Sequence, residues 1–295
     1  WQTEDAAECR ADRAHDEPDL ARIQQATGLL EADLELLRQL PGRLRACGFR
    51  GTAVMADGRL LDFEPGNTEA ECFGAAFDVG TTTLVGMLVD LRTGQDRALA
   101  SRLNPQTGFG DDVLSRILHT SESPRGLDDL HQSVITAIDE MIGEMAGQAG
   151  IARQRIYELS FSGNTTMQHL LCRIDPHYLG EVPFVPVTAD RLLVEAARLG
   201  LHVHPHARAY VMPVIGGFVG GDTVSGILAT ALGDAQGPTL LVDIGTNGEI
   251  VLFAGGQLSA ASTAAGPAFE GARISHGMRA STGAIEKVVV DGELR

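Results

Sequence analysis

Two stretches of this chain repeat one short pattern. An apolar strand ends on Asp, an x-Gly-Thr turn follows, and a second strand, a glycine turn and a third strand come after it. The first copy is FGAAFDVGTTTLVGMLVDLRTGQDRALASRL, with strands predicted over 74–79, 83–90 and 96–102. The second is TLLVDIGTNGEIVLFAGGQLSAASTAAG, with strands over 239–243, 249–254 and 257–262. Helical patterns lie between them, so this is duplication at domain scale and not a solenoid period. A lone Asp-x-Gly-Thr is an ordinary β-turn, because Asp, Gly and Thr are all turn residues. Two copies, each continued by the same pair of strands, point to a shared purpose.

That purpose is phosphate binding. A tight Asp-x-Gly-Thr bend turns several backbone N–H groups inward. Gly80 and Gly245 let the main chain approach a phosphate with no Cβ in the way. Thr81, Thr82 and Thr83 in one turn, and Thr246 with Asn247 in the other, add side-chain donors. Asp78 and Asp243, at strand ends, are the candidate catalytic and metal residues, facing Mg²⁺ through water. Mg²⁺ keeps several waters and takes one or two protein carboxylates. Two such turns across a cleft would clamp the β- and γ-phosphates of a nucleotide.

Further segments suit the same cleft. SGNTTM (162–167), with Gly163 and Asn164, follows an apolar strand and opens a helix. GGFVGGDT (216–223), with Gly220, Gly221 and Asp222, does the same. Glycine-preceded helix N-termini bind anions readily, and they also serve as close-packed strand–helix turns; both readings stand here. For Asp222 the cap of the following helix is favoured over a role near Mg²⁺. AAGPAFEGARISHGM (264–278) is either a cleft-lining segment or a plain loop, and Glu270 is the one acid in it. His202, His204 and His206 alternate in HVHPH, but Pro205 and polar neighbours favour a solvated edge or loop over a metal site. His169 reads as a packed helix residue.

The net charge of −16 argues against nucleic-acid partners. Lys287 is the only lysine, so no Walker-type GxxxxGK[ST] loop can be written. Backbone amides, hydroxyls and metal-bound carboxylates must do that work. Cys9, Cys47, Cys72 and Cys172 lie far apart, which leaves no local CxxC or iron–sulfur motif. They read as reduced, mostly buried thiols of a cytoplasmic protein. No apolar run reaches 18 residues, so no membrane helix is expected. The polar start has no signal-peptide pattern. The chain begins without Met and stops on VVVDGELR, which reads as a cut hairpin, so a fragment of a longer protein is expected.

Residues 1–18 read as linker or disordered. Residues 19–73 read as a small α+β unit: helical spacing broken at Gly28 and Pro41, then a hairpin about Asp57-Gly58. Residues 74–295 hold the duplicated α/β domain. Its predicted helices begin at Asp112 and at Leu127, open with TTMQHLLC and VEAARLGL, and follow GGDT.

The implied fold is α/β, the actin-like ATPase (ribonuclease H-like) fold shared by acetate and sugar kinases, Hsp70 and actin. Within it, FDVGTTTLVGMLVDLRTG, SRLNPQTGFGDDVLSRI, SGNTTMQHLL, PVIGGFVGGDT, LLVDIGTNGEIVL and AAGPAFEGARISHGM together resemble the reductive activators of corrinoid proteins, over about residues 20–295. The unit at 19–68 is similar to that family's middle region. The resemblance implies ATP-driven return of a Co(II) corrinoid on a methyltransferase partner to Co(I), with the electron from a [2Fe–2S] cluster in an N-terminal ferredoxin-like domain. It implies that Asp78, Gly80, Thr81 and Thr82 form the first phosphate hairpin and Asp243, Gly245, Thr246 and Asn247 the second. The SGN turn and residues 220–222 would then lie near the phosphates or a hinge. The cluster cysteines and the C-terminal adenosine motif are not in this sequence, so the fragment by itself is expected not to transfer electrons. A homodimer is compatible with the sequence. Two other classes share the cleft: a small-molecule kinase, for which no base toward a hydroxyl is identifiable, and a nucleotide-dependent switch.

Overall fold

A computed structural model describes residues 7–10, 17–28, 31–245, 247–264, 276, 290–291 and 293–294. The amino-terminal unit contains β1 (Ala7–Arg10), α1 (Asp19–Thr27), β2 (Glu31–Ala32), α2 (Leu34–Ala46), β3 (Arg50–Ala56) and β4 (Arg59–Pro65). Its sheet order is β1-β3-β4-β2. The β3–β4 turn carries positive φ at Asp57 (49°) and Gly58 (70°), the geometry that Asp-Gly favours. Ile23, Leu36, Leu40, Leu44, Phe49 and Phe63 form its core.

Two expectations for this unit are corrected. The opening segment is not all linker, because residues 7–10 pair antiparallel with β3. That strand completes the backbone ladder along an edge otherwise open. Nor does α2 break at Pro41. Leu36, Leu40 and Leu44 lie on one buried face on both sides of it, and their packing outweighs the lost amide.

The main sheet follows. β5 (Phe73–Val79), β6 (Thr83–Asp90) and β7 (Asp96–Leu103) form an antiparallel meander. After α3 (Val113–Glu122) and α4 (Gly126–Ala149), β8 (Ile156–Ser162) lies parallel to β5. Then come α5 (Thr165–Leu171), β9 (Leu192–Glu195), β10 (Arg208–Val211) and α6 (Gly221–Ala229), giving the order β7-β6-β5-β8-β10-β9. The helix expected from VEAARLGL is instead β9 and a single 3₁₀ turn (Ala196–Leu199). So short a helix is marginal without tertiary support, and the free edge of β10 takes the segment as a strand. α4 packs Leu130, Val134, Ile138, Met141 and Met145 against Phe77 and Phe161, whose rings stack with centroids 5.4 Å apart. β11 (Thr239–Ile244), β12 (Asn247–Ala254) and β13 (Gln257–Ala264) repeat the first meander as a separate sheet. β14 (Val290–Asp291) and β15 (Glu293–Leu294) pair antiparallel.

A buried polar cluster joins the small unit to the main sheet. Asp62 of β4 accepts from His204 Nε2 at 3.0 Å and from Arg43. Glu64 accepts from Tyr157 and Thr68 and pairs with Arg155. The backbone N–H of His206 donates to His204 Nδ1 at 3.1 Å. His204 is therefore no solvated loop residue: it is 4% exposed. His202 meets Asp139 at 3.2 Å and His206 meets Asp33 at 3.5 Å, so each histidine of HVHPH has its own aspartate. Burial alone would raise the Asp62 carboxyl, but His204 and Arg43 outweigh it and hold the group below its ordinary value. A depressed carboxyl stabilises the fold above its unfolded pKa, and that stabilisation fades as pH falls through the folded value. Asp62→Ala is expected to cost about 3 kcal/mol by urea denaturation at pH 7, because it strands Arg43 and His204. The difference from wild type should shrink on acidification toward pH 3.

Candidate functional site

The first turn is held from behind. The Gly80 N–H donates to Thr83 O at 3.1 Å, and a Cβ at Gly80 would sit 2.5 Å from that oxygen. Glycine is thus required by the turn's own closure, quite apart from any ligand. Asn104 Nδ2 donates to Gly80 O at 2.8 Å, and the Asn104 N–H donates to Thr82 O at 2.8 Å. Arg116 Nη2 donates to Thr81 O at 2.5 Å. Gln106 ties this group to α4 by donating to Leu130 O at 3.0 Å.

The second predicted segment reaches the same turn. Asn164 caps α5, accepting from Met167 N–H at 3.0 Å, and its Nδ2 donates to Thr81 Oγ1 at 2.9 Å. A Cβ on Gly163 would lie 2.6 Å from Val79 O, and one on Gly220 would lie 2.5 Å from Asn164 Cα. Side chains are excluded there because three pieces of main chain meet. Gly163 O accepts from the N–H groups of Gly221 (2.9 Å) and Asp222 (3.2 Å). The first amides of α6 are thereby occupied, and GGDT acts as a close-packed strand–helix turn. Asp222 is not the cap of α6; Gly220 holds that position. The Asp222 carboxylate sits in the first turn and accepts from Thr223 N–H at 2.7 Å.

Acids from both meanders converge on this place. Asp78 is the last residue but one of β5, and Asp243 pairs across the β11–β12 ladder with Glu249. The Asp78 side chain is solvent-exposed, although protein lies densely around its carboxyl. That burial, then the charges of Asp222 and Asp243, pushes its carboxyl up to about 6. Asp222 is raised mainly by burial, with Asp243 acting in the same direction. Glu249 is pushed up to about 7 by burial and by Asp222 and Asp243, partly offset by Ser262 Oγ at 3.4 Å. The second turn closes through Gly245 N–H to Asn247 O at 2.9 Å, while Thr246 lies outside the described residues. Glu270 and nearly all of 264–278 also lie outside them.

Asp78 and Glu249 both lie within electrostatic reach of Asp222 in α6 and of Asp243 in the second hairpin, and carboxylates so placed suit a hard divalent cation. Among the described residues the one trio of donor atoms within 4.8 Å is Asp62, Glu64 and His204, already spent on the polar cluster. Asp78, Asp222, Asp243 and Glu249 form no such trio among the described residues. Asp78, Gly80, Thr81, Gly163, Asn164 and Asp222 are thus brought together, with Asp243 facing them. Sequence reasoning missed Glu249, Asn104, Gln106 and Arg116. Strand alternation from Asp243 reaches Glu249 only once the β12 register is known. NPQTGFGDDVLSR contains the other three, but nothing local shows that they turn inward.

The raised carboxyls set a pH dependence. A carboxyl whose folded pKa exceeds its unfolded value costs stability when ionised, so stability is greatest at low pH and falls as pH rises through the folded pKa. Without divalent cation, the melting temperature should fall between pH 5 and 8. Asp78→Asn should flatten that fall and raise the melting temperature at pH 8. An unchanged profile would remove Asp78 from the repelling group.

Comparison with known proteins agrees in order along the chain. Residues 10–70 match the RACo linker region, residues 73–235 the RACo middle region, and residues 237–295 the C-terminal domain of RACo, the ASKHA domain. The small unit likened to the middle region therefore falls to the linker region, and the middle region begins at β5. The corrinoid activation enzyme RamQ of Eubacterium limosum is 39% identical over 236 residues, covering 80% of this chain and 40% of that protein. The Co(II) methylated amine-specific corrinoid protein reductase of Methanosarcina barkeri is 31% identical over 232 residues, covering 75% of this chain and 41% of that protein. The solved structure of a reductive activator for corrinoid, iron-sulfur protein superposes with a TM-score of 0.86 at 36% identity, covering 96% of this chain and 46% of the other. The chain thus spans less than half the length of these relatives. With the RACo middle-region match covering more than half of it, the chain belongs to the RACo family of reductive activators of corrinoid proteins.

Proposed function

We propose that this chain is the nucleotide-binding part of an ATP-dependent activator that returns a Co(II) corrinoid protein to Co(I). The observation that carries the reading is that one hairpin occurs twice and the Asp243 of the second copy lies near enough to the Asp78 of the first to act on its charge. Relatives whose names describe corrinoid activation and Co(II) corrinoid reduction support the substrate class.

In this reading the turns at 80–83 and 245–247 bind the β- and γ-phosphates through backbone N–H groups, with Thr81, Thr82 and Thr83 adding hydroxyls. Asp78 and Asp243 hold Mg²⁺ through its waters, with Asp222 and Glu249 extending the acidic surface. When bound, Mg²⁺ neutralises phosphate charge and relieves repulsion among these acids. Asn164, on Thr81 and at the α6 contact, couples the occupied turn to the helices behind it. That coupling is how nucleotide occupancy would move the domain. The electron, one per Co(II), would come from a [2Fe–2S] cluster held in a part of the protein outside this sequence. Cys47, Cys72 and Cys172 are separate half-buried thiols. Burial raises those of Cys72 and Cys172 to about 11, far from the thiolate that ligation needs. The partner would be a corrinoid protein met in the cytoplasm, and a homodimer would be one working form.

The complete protein, mixed with a Co(II) corrinoid protein, a reductant and MgATP, should give the absorbance of Co(I) only when ATP is present. Asp243→Ala should abolish ATP turnover and Co(I) formation together. ATP-independent Co(I), or near-normal turnover by the variant, would contradict the proposal.

A further inference from the structure

Arg116 lies behind the first turn, 0% exposed, and is the largest fully buried side chain among the described residues. All its donors point at neutral acceptors. Nη2 reaches Thr81 O at 2.5 Å, Nε reaches Gly110 O at 2.9 Å, and Nη1 reaches Gln106 Oε1 at 3.2 Å and Met167 Sδ at 3.1 Å. No carboxylate among the described residues stands within ion-pair distance. Asp111 and Asp112, both exposed at the start of α3, act on it only at longer range.

A buried guanidinium without a contacting carboxylate is costly, and ordinary proteins pair such a charge. Neutral core groups would brace the turn without that cost. The charge has one evident use. It sits directly beneath the turn at 80–83, in a chain whose only lysine is Lys287. In a poorly hydrated interior its field reaches the turn with little screening, and the Thr81 carbonyl it holds fixes which way that peptide faces. Asp78, immediately before Val79 and Gly80 of the same turn, feels the charges of Asp222 and Asp243. A positive charge behind the turn makes that half of the site receptive to anionic phosphate while the acids take the cation.

We infer that Arg116 is a positioning residue for the nucleotide's polyphosphate, acting through Thr81 and by its buried charge, and that this charge is balanced when the phosphates bind. Asn104 and Gln106 orient it: Gln106 Oε1 accepts from Arg116, and Asn104 Nδ2 lies 3.4 Å from the same oxygen. The inference rests on the nucleotide reading of the site.

The test compares the complete protein with Arg116→Met and Arg116→Lys. MgATP, MgADP and AMP are titrated calorimetrically, and melting temperature is recorded alongside. Arg116→Met should weaken MgATP about tenfold, MgADP less and AMP least, in order of how many phosphates reach the turn at 80–83. Arg116→Lys, which keeps the charge and loses the fork, should recover the ATP-to-ADP discrimination even where the melting temperature stays low. Should Arg116→Met fail to fold, Arg116→Lys decides by that ratio. Equal weakening of all three nucleotides, or no weakening, would make Arg116 a structural brace and overturn the inference while leaving the site reading intact. A wild-type protein that binds neither MgATP nor MgADP overturns both.

Discussion

Like-charge crowding in the cleft is the constraint around which the rest is arranged. Burial, and then the charges of Asp222 and Asp243, raises the Asp78 and Glu249 carboxyls, and burial with the charge of Asp243 raises that of Asp222. Several of the described arginines are engaged elsewhere. Arg43 and Arg155 serve the polar cluster at the small unit, and Arg102 bridges β7 to α4 through Glu140 and Glu144. Arg116 reaches the turn at 80–83 from behind, through the Thr81 carbonyl, and makes no ion pair among the described residues. Acid in front and buried cation behind is an arrangement that a metal–phosphate complex completes from both sides.

The main-chain packing explains how such repulsion is tolerated. Gly163 and Gly220 let β5, the β8–α5 turn and the α6 start close on one another without side chains between them. Hydrogen bonds from Asn104, Asn164 and Arg116 then fix the turn at 80–83 from three directions. The large apolar core under α4 supports that scaffold. The stabilisation is remote from the acids, so the site can carry strain that an isolated hairpin could not.

What the sequence made legible was local. The paired hairpins, the Asp57-Gly58 turn, α4 with its Gly150 cap and the apolar β8 each announce themselves within a dozen residues. The features that escaped are set by distant partners. Residues 7–10 become a strand only because β3 offers an edge; VEAARLGL yields to the edge of β10; α2 survives Pro41 because its buried leucines find α1 and β4. The site divides the same way. Asp78 and Asp243 stand in a repeated motif, whereas Glu249, Asn104 and Arg116 acquire meaning only from register and burial. Asp222 looked like a cap because Asp commonly caps helices, yet Gly220 took that position so the chains could touch.

The central claim is that both halves of the duplicated motif act on one ligand. A double-mutant cycle on MgATP affinity tests it most directly, using Asp78→Asn, Asp243→Asn and the double variant in the complete protein. If the two aspartates share one hydrated cation and one polyphosphate, the double variant should lose clearly less than the sum of the single losses in free energy. Strictly additive losses, or a full affinity retained by either single variant, would mean that the two hairpins do not serve a common site.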